Sequence, residues 1–171
     1  MLDDLMGFVM RPRVLIALLV AQAVIGSAIG WTVLELADVS GGQGLLDFEI
    51  GYDVARVTEM LGAYGEAGMR LMRRVQMLDL LNPALYGLLG TALVQWLAPG
   101  SGWRWWMLGG AGLNYAENAV LALLVRDYPQ IDAGLVGLGN LLSLAKHGCL
   151  GVAGAGVVFL AFRRFWRGVH S

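Results

Sequence analysis

The chain has little charge and almost no cysteine, and both shortages exclude classes of protein. Charged residues make up 15% of the 171 residues, against about 25% in a typical soluble domain. So low a charge content excludes a disordered chain, a nucleic-acid-binding surface and most soluble folds. The net charge of −1 indicates no polyanionic partner. The single cysteine, Cys149, excludes an internal disulfide and a cysteine-based metal cluster.

Histidine is also scarce, which argues against bound metals and cofactors. Only His147 and His170 are present, and His170 lies in the tail, so a haem held by two axial histidines would need a second chain. The sequence lacks an HExxH metal motif and a glycine-rich phosphate loop that follows a strand. We therefore expect neither a metal nor a cofactor.

Apolar residues are abundant and form four long runs. Hydrophobic residues make up 57% of the chain, and the mean hydropathy is +0.63. Each run has close to the roughly 20 residues that a helix needs to cross the hydrocarbon layer, and in lipid such runs must be helical. The sequence predicts an all-α integral membrane protein, folded as a single four-helix membrane domain over residues 1–171. The predicted spans are about residues 14–34, 77–97, 104–125 and 138–162.

Arginines and tryptophans near the span ends indicate the orientation. If all four runs cross, six arginines lie on the side of both termini and five on the other side, and cytoplasmic loops carry the excess of basic residues. Tryptophans between residues 96 and 106 lie on that first side, as an interfacial belt would. We therefore expect cytoplasmic termini, in a bacterial inner membrane or an equivalent membrane.

Residues 37–76 form the one long segment between predicted spans. Ser40–Gly44 is typical of a loop. Apolar residues then recur at three- and four-residue spacing, which predicts an additional amphipathic extramembrane helix between the first two spans. Gly65 and its neighbours predict a break in that helix. The helix could be an interfacial element held by lipid, or a lid over the bundle or docking surface. Its predicted apolar face comprises Val54, Val57, Leu61 and Tyr64.

Polar side chains within the spans are the most informative feature. Ionisable groups in a membrane span are rare and usually face the bundle interior or a cavity. Counted at about 1.5 Å per residue, the polar residues of different spans share one depth in the outer half of the bundle. We therefore predict a single polar site. Its candidate ligand-binding residues are Asp79, Asn82 and Tyr86 on the second span, Asn114, Glu117 and Asn118 on the third, and Ser143, Lys146 and His147 on the fourth.

Equal depth predicts an ion pair between Glu117 and Lys146. An unpaired charge at this depth would shift its pKa and neutralise instead. We expect Asn114, Asn118 and Ser143 to hydrogen-bond to this pair and keep both groups charged.

Two further features concern the start of the second span. Asp79 lies nearer the interface, so we expect it to pair with Arg73 or Arg74, or to cap nearby backbone. Pro83 removes a backbone hydrogen bond and predicts a kink at Asp79–Leu80.

Three functions are compatible with such a polar layer. The chain could bind a membrane lipid or a hydrophobic small molecule, or it could be an accessory or assembly subunit whose polar layer is purely structural. It could also be an acid–base enzyme of isomerase or cyclase type on a lipid-soluble substrate. The close spacing of Gly26 and Gly30 permits a homo- or hetero-oligomer. An enclosed pocket that reaches Glu117 is required by the binding and enzyme hypotheses.

Overall fold

The computed structural model describes residues 2–169, with side chains as far as Trp166, and no strand occurs within this range. The all-helical prediction is therefore confirmed. A short 3-10 turn, Leu46–Phe48, is the remaining regular element. The α-helices are α1 (Leu2–Val9), α2 (Pro12–Val39), α3 (Val54–Leu78), α4 (Asn82–Leu97), α5 (Arg104–Asp127) and α6 (Ala133–Val169).

Four helical stretches are long and apolar enough to cross a membrane, namely α2, α3 with α4, α5, and α6. Their apolar residues cover the outside as well as the core. The most apolar stretch of α2 contributes no buried residue, and Val24, Trp31 and Leu34 on this helix are largely exposed. Exposure of apolar faces of this extent to water is unfavourable, and contact with lipid or with a partner protein removes that cost.

A turn at residues 79–81 separates α3 from α4. Pro83 lies at the start of α4, and its ring would clash with the carbonyl four residues earlier if the helix were continuous. The predicted kink at Asp79–Leu80 is thus present. Because α4 has 16 residues, it is about 24 Å long. The end of α3 is therefore needed to complete a span of about 30 Å.

The predicted amphipathic face belongs to α3, where it packs on protein. Val57, Leu61 and Tyr64 are fully buried, together with residues near the end of α5 and the start of α6. Gly65 has φ 55° and ψ −166°, which interrupts the helix. This is the break that the glycines in this stretch predict. The fourth predicted residue, Val54, is exposed. Three of the four residues of this face thus pack on protein.

The connection between α2 and α3 folds back into the bundle. Leu45, Leu46 and Tyr52 are buried in the same apolar cluster as α3 and α5. The Tyr64 hydroxyl donates a hydrogen bond to the carbonyl of Gly44 at 2.7 Å, which anchors the start of this segment. No periodic pattern in the sequence indicated this insertion, and it brings Asp47 inside.

Candidate functional site

The first part of the site is a triad in which one ammonium serves two carboxylates. Lys146 is the single lysine of the chain, and its Nζ lies 2.5 Å from Oε2 of Glu117 and 2.5 Å from Oδ1 of Asp47. The exposed fractions of the Lys146, Glu117 and Asp47 side chains are 4%, 0% and 17%. The predicted contact between Glu117 and Lys146 is thus present. Asp47 was not predicted, and with both carboxylates ionised the triad carries a charge of −1.

Polar side chains on one face of α6 bind the loop between α2 and α3 and hold it against the bundle. Oδ1 of Asn140 accepts a hydrogen bond from the backbone N–H of Gly51 at 3.0 Å. Oγ of Ser143 donates to the carbonyl of Glu49 at 3.5 Å. One turn further along α6, Lys146 holds Asp47. Ser143 therefore binds the loop backbone, and the prediction that it supports the Glu117–Lys146 pair is wrong.

Asp79 is the second part of the site and is held by asparagine amides. Its Oδ1 accepts a hydrogen bond from Nδ2 of Asn82 at 2.8 Å. Its Oδ2 accepts from Nδ2 of Asn114 at 2.8 Å and of Asn118 at 2.6 Å. Gln22 on α2 donates to the Asn82 carbonyl oxygen at 2.9 Å. Asp79 has no cationic partner within the described part of the chain, and the network joins α2, α4 and α5.

These contacts correct two predictions. Asn114 and Asn118 bind Asp79 and do not bind the Glu117–Lys146 pair. Asp79 pairs with neither Arg73 nor Arg74, because the turn after α3 carries it off the arginine face and into the bundle. Arg74 instead approaches Glu35 on α2 at 3.6 Å.

A chamber of about 160 Å³ lies between the triad and Asp79. Phe48, one of its apolar lining residues, is 61% exposed. The polar lining residues are Asp47, Asp79, Asn82, Tyr86, Asn114, Lys146 and His147, and the apolar ones are Ile29, Leu45, Phe48, Val75 and Leu150.

Some of the predicted site residues line the chamber, and others lie outside its lining. Glu117 is fully enclosed and touches the chamber only through Lys146. Asn118 supports Asp79 from outside the lining, and Ser143 faces the loop. The residue that sequence reasoning missed is Asp47. It lies between Leu46 and Phe48, and an aspartate inside a short apolar stretch of a loop is the signal that could have revealed it.

The chamber offers hydrogen-bond acceptors at His147 and Asp79 beside its donor groups. Nδ1 of His147 lies 2.8 Å from the carbonyl oxygen of Ser143, so this nitrogen carries the proton and Nε2 is an acceptor in the neutral ring. The Asp79 carboxylate is a stronger acceptor. Asp47, Asp79 and Lys146 together carry a formal charge of −1, and Glu117 behind them adds another negative charge. A bound group that donates hydrogen bonds or carries positive charge suits this surface.

Tyr52 lies beside the triad, and its hydroxyl is buried without a hydrogen-bond partner among the described residues. Burial, followed by the charges of Glu117 and Asp47, raises the pKa of the Tyr52 phenol well above its ordinary value. The phenol therefore stays protonated, and its hydroxyl adds no stabilising contact.

We expect Tyr52→Phe to leave the free energy of unfolding unchanged or to raise it by about 1 kcal/mol, because an unsatisfied buried polar group is destabilising. Tyr64→Phe is the matched control, since it loses the hydrogen bond to Gly44 and should lower that free energy by about 1 kcal/mol. Unfolding in detergent micelles, followed by tryptophan fluorescence, compares the two. An equal loss in both variants would contradict the assignment.

Comparison of the chain with protein-family models, with curated proteins and with solved structures finds no match. The evidence for function therefore lies in the chamber and in the surfaces around it.

Proposed function

We propose that the chain is an integral membrane protein with four spans that binds a membrane lipid, or another hydrophobic small molecule, by its polar head. The observation that carries the proposal is the chamber, which is lined by both polar and apolar residues, the exposed Phe48 among them. Charged residues such as Asp79 and Lys146 are costly inside a bilayer and mark functional positions there. The lipid-facing apolar helices would hold the tail of such a molecule.

The size of the chamber indicates which part of a ligand it holds. Pockets that enclose a whole drug-sized molecule measure about 300–1,000 Å³, and this chamber has about 160 Å³. It can hold a head group of a few heavy atoms, while an apolar tail remains outside. Because the lining is rich in acceptors around Asp79 and His147, an amine or an alcohol is the head that fits best.

The test is mass spectrometry of molecules extracted from the purified protein. We expect the wild type to carry an amphiphile with an amine or hydroxyl head. Asp79→Asn removes the charge but keeps the side-chain shape, and it should reduce the retained amount on the order of tenfold, because a hydrogen bond to a charged group contributes about 1.5–3 kcal/mol. Asp38→Asn, at the exposed end of α2, is the control. Equal retention in both variants, or an empty wild type, would overturn the proposal.

We also propose that both termini lie in the cytoplasm, which the tryptophans at the ends of α4 and α5 support. Single cysteines at Asp38, which ends α2, and at Gly102, between α4 and α5, report the two sides once Cys149 is replaced with alanine. Membrane-impermeant reagents added to intact cells should label Asp38→Cys and leave Gly102→Cys unlabelled. Labelling of both positions would contradict four crossings.

A second candidate is an accessory or assembly subunit. It is favoured by the Gln22–Asn82–Asp79–Asn114 network, in which the polar groups satisfy one another across α2, α4 and α5. Such a network fixes helix register without a ligand, and the chamber would then hold only water. Gly30 faces open space, which leaves room for a partner helix. Glu117 does not itself line the chamber and contacts a lining residue only at Lys146, which counts equally against the binding and the acid–base enzyme hypotheses as the sequence framed them.

A further inference from the structure

A groove on the outside of the bundle, distinct from the chamber, brings three arginines together between α3 and α5. Its volume is about 630 Å³. Leu61, Met69 and Val125 form its apolar floor, and none of its residues lines the chamber. The arginines at its rim are Arg70, Arg73 and Arg126.

The groove has an excess of positive charge. Arg126 donates two hydrogen bonds to Asp127, at 2.6 and 3.0 Å. Arg70 and Arg73 form no ion pair with any residue that the structure describes, and Glu66 is the one carboxylate in the described lining. Two exposed guanidinium groups, one turn apart on α3, suit the oxygens of a phosphate group, which arginine binds in a planar, bidentate manner.

An apolar cavity continues from the arginine groove along the same two helices. It has a volume of about 350 Å³, and Arg73 lines both spaces. Exposed apolar side chains, Met77 and Leu80, lie on one side, and the small residues Ala119 and Ala122 leave room on the other. A soluble phosphate compound has no apolar part that could occupy this cavity, whereas the acyl chain of a lipid would fill it.

We propose that this groove binds an anionic phospholipid. Its phosphate contacts Arg70 and Arg73, and one acyl chain lies along Met77, Leu80 and Ala119. Two guanidinium groups beside an apolar cavity match the phosphate and the acyl chain of such a lipid. The groove and the apolar cavity share no lining residue with the chamber, and the proposal rests on membrane insertion but not on the chamber's proposed role.

The experiment is native mass spectrometry of the detergent-purified protein, titrated with phosphatidylglycerol or with phosphatidylcholine of the same acyl chains. We expect preferential binding of phosphatidylglycerol. Arg73→Gln should weaken it about fivefold, and Arg70→Gln combined with Arg73→Gln about 25-fold, since each basic residue near the surface contributes about 1 kcal/mol. Arg74→Gln is the matched control, because this arginine approaches Glu35 and does not line the groove.

A second variant tests the acyl-chain part of the proposal. Ala119→Phe fills the apolar cavity and should weaken phosphatidylglycerol binding while all three arginines remain. Equal binding of the two lipids, or equal binding by Arg73→Gln and Arg74→Gln, would overturn the proposal. Unchanged binding in Ala119→Phe, or displacement of the lipid by an equal concentration of inorganic phosphate, would show a site for free phosphate instead of a lipid.

Discussion

Replacing Lys146 with methionine should lower the free energy of unfolding by about 3–5 kcal/mol, which corresponds to a fall in melting temperature on the order of 10 °C for a chain of this size. Glu117 and Asp47 share this ammonium, and the structure describes no other cation in contact with either carboxylate. Its loss removes the cation that both carboxylates contact, so they must stay ionised without a partner or take up a proton, and both outcomes are unfavourable. Unfolding in detergent micelles, followed by tryptophan fluorescence, measures the effect.

Glu117→Gln is the control for Lys146→Met. It removes one carboxylate and leaves the Lys146–Asp47 pair intact, so its effect should be clearly smaller. Glu117→Gln combined with Lys146→Met should recover part of the stability lost in Lys146→Met alone, because one buried charge fewer is then left unpaired. Equal losses in the two single variants would show that Lys146 does not serve both carboxylates.

Asp79→Ala should be comparably damaging, with a loss of about 3–6 kcal/mol in the free energy of unfolding. The amides of Asn82, Asn114 and Asn118 each donate to this carboxylate, and a buried donor left unsatisfied costs about 1–3 kcal/mol. Water in the chamber can accept hydrogen bonds from some of these amides, so the total stays below the sum of three full penalties. The same unfolding measurement applies.

Asn118→Ala provides the comparison for Asp79→Ala. It removes one of the three donors and leaves the other two contacts in place, so it should cost about 1 kcal/mol. Asp79→Asn should be intermediate, because its carbonyl oxygen still accepts on one side while its NH2 group faces an amide donor that loses its acceptor. If Asp79→Ala were no worse than Asn118→Ala, Asp79 would not be the centre of this network.

The helices and one ion pair could be predicted because they depend on local or one-dimensional properties. Long apolar runs specify helices in lipid. A proline is tolerated in the first turn of a helix and breaks the helix elsewhere, so Pro83 predicts a helix that starts anew beside it. The contact between Glu117 and Lys146 could be predicted because the two residues lie at the same depth in the membrane, on consecutive helices joined by a short connection. Such inferences need no knowledge of how the elements pack.

The partners of Asp47 and Asp79 depend on packing, and for that reason the sequence did not reveal them. Asp47 enters the bundle because Leu45, Leu46 and Tyr52 are buried nearby, and a loop has no periodicity that would show this. Asp79 faces the asparagines because the chain changes direction at residues 79–81. Its position near the interface predicted a pairing with the arginines instead, because depth alone does not show which way the turn directs the side chain.

The central claim is that the chamber holds the polar head of an amphiphile. An experimentally determined structure of the wild type in a lipid nanodisc tests it most directly. We predict density between Asp79 and Lys146 that continues past Phe48 as an apolar tail, with Asp47 still bound to Lys146. A chamber that contains only water, with no density at its opening, would contradict the claim and leave the structural role as the better explanation.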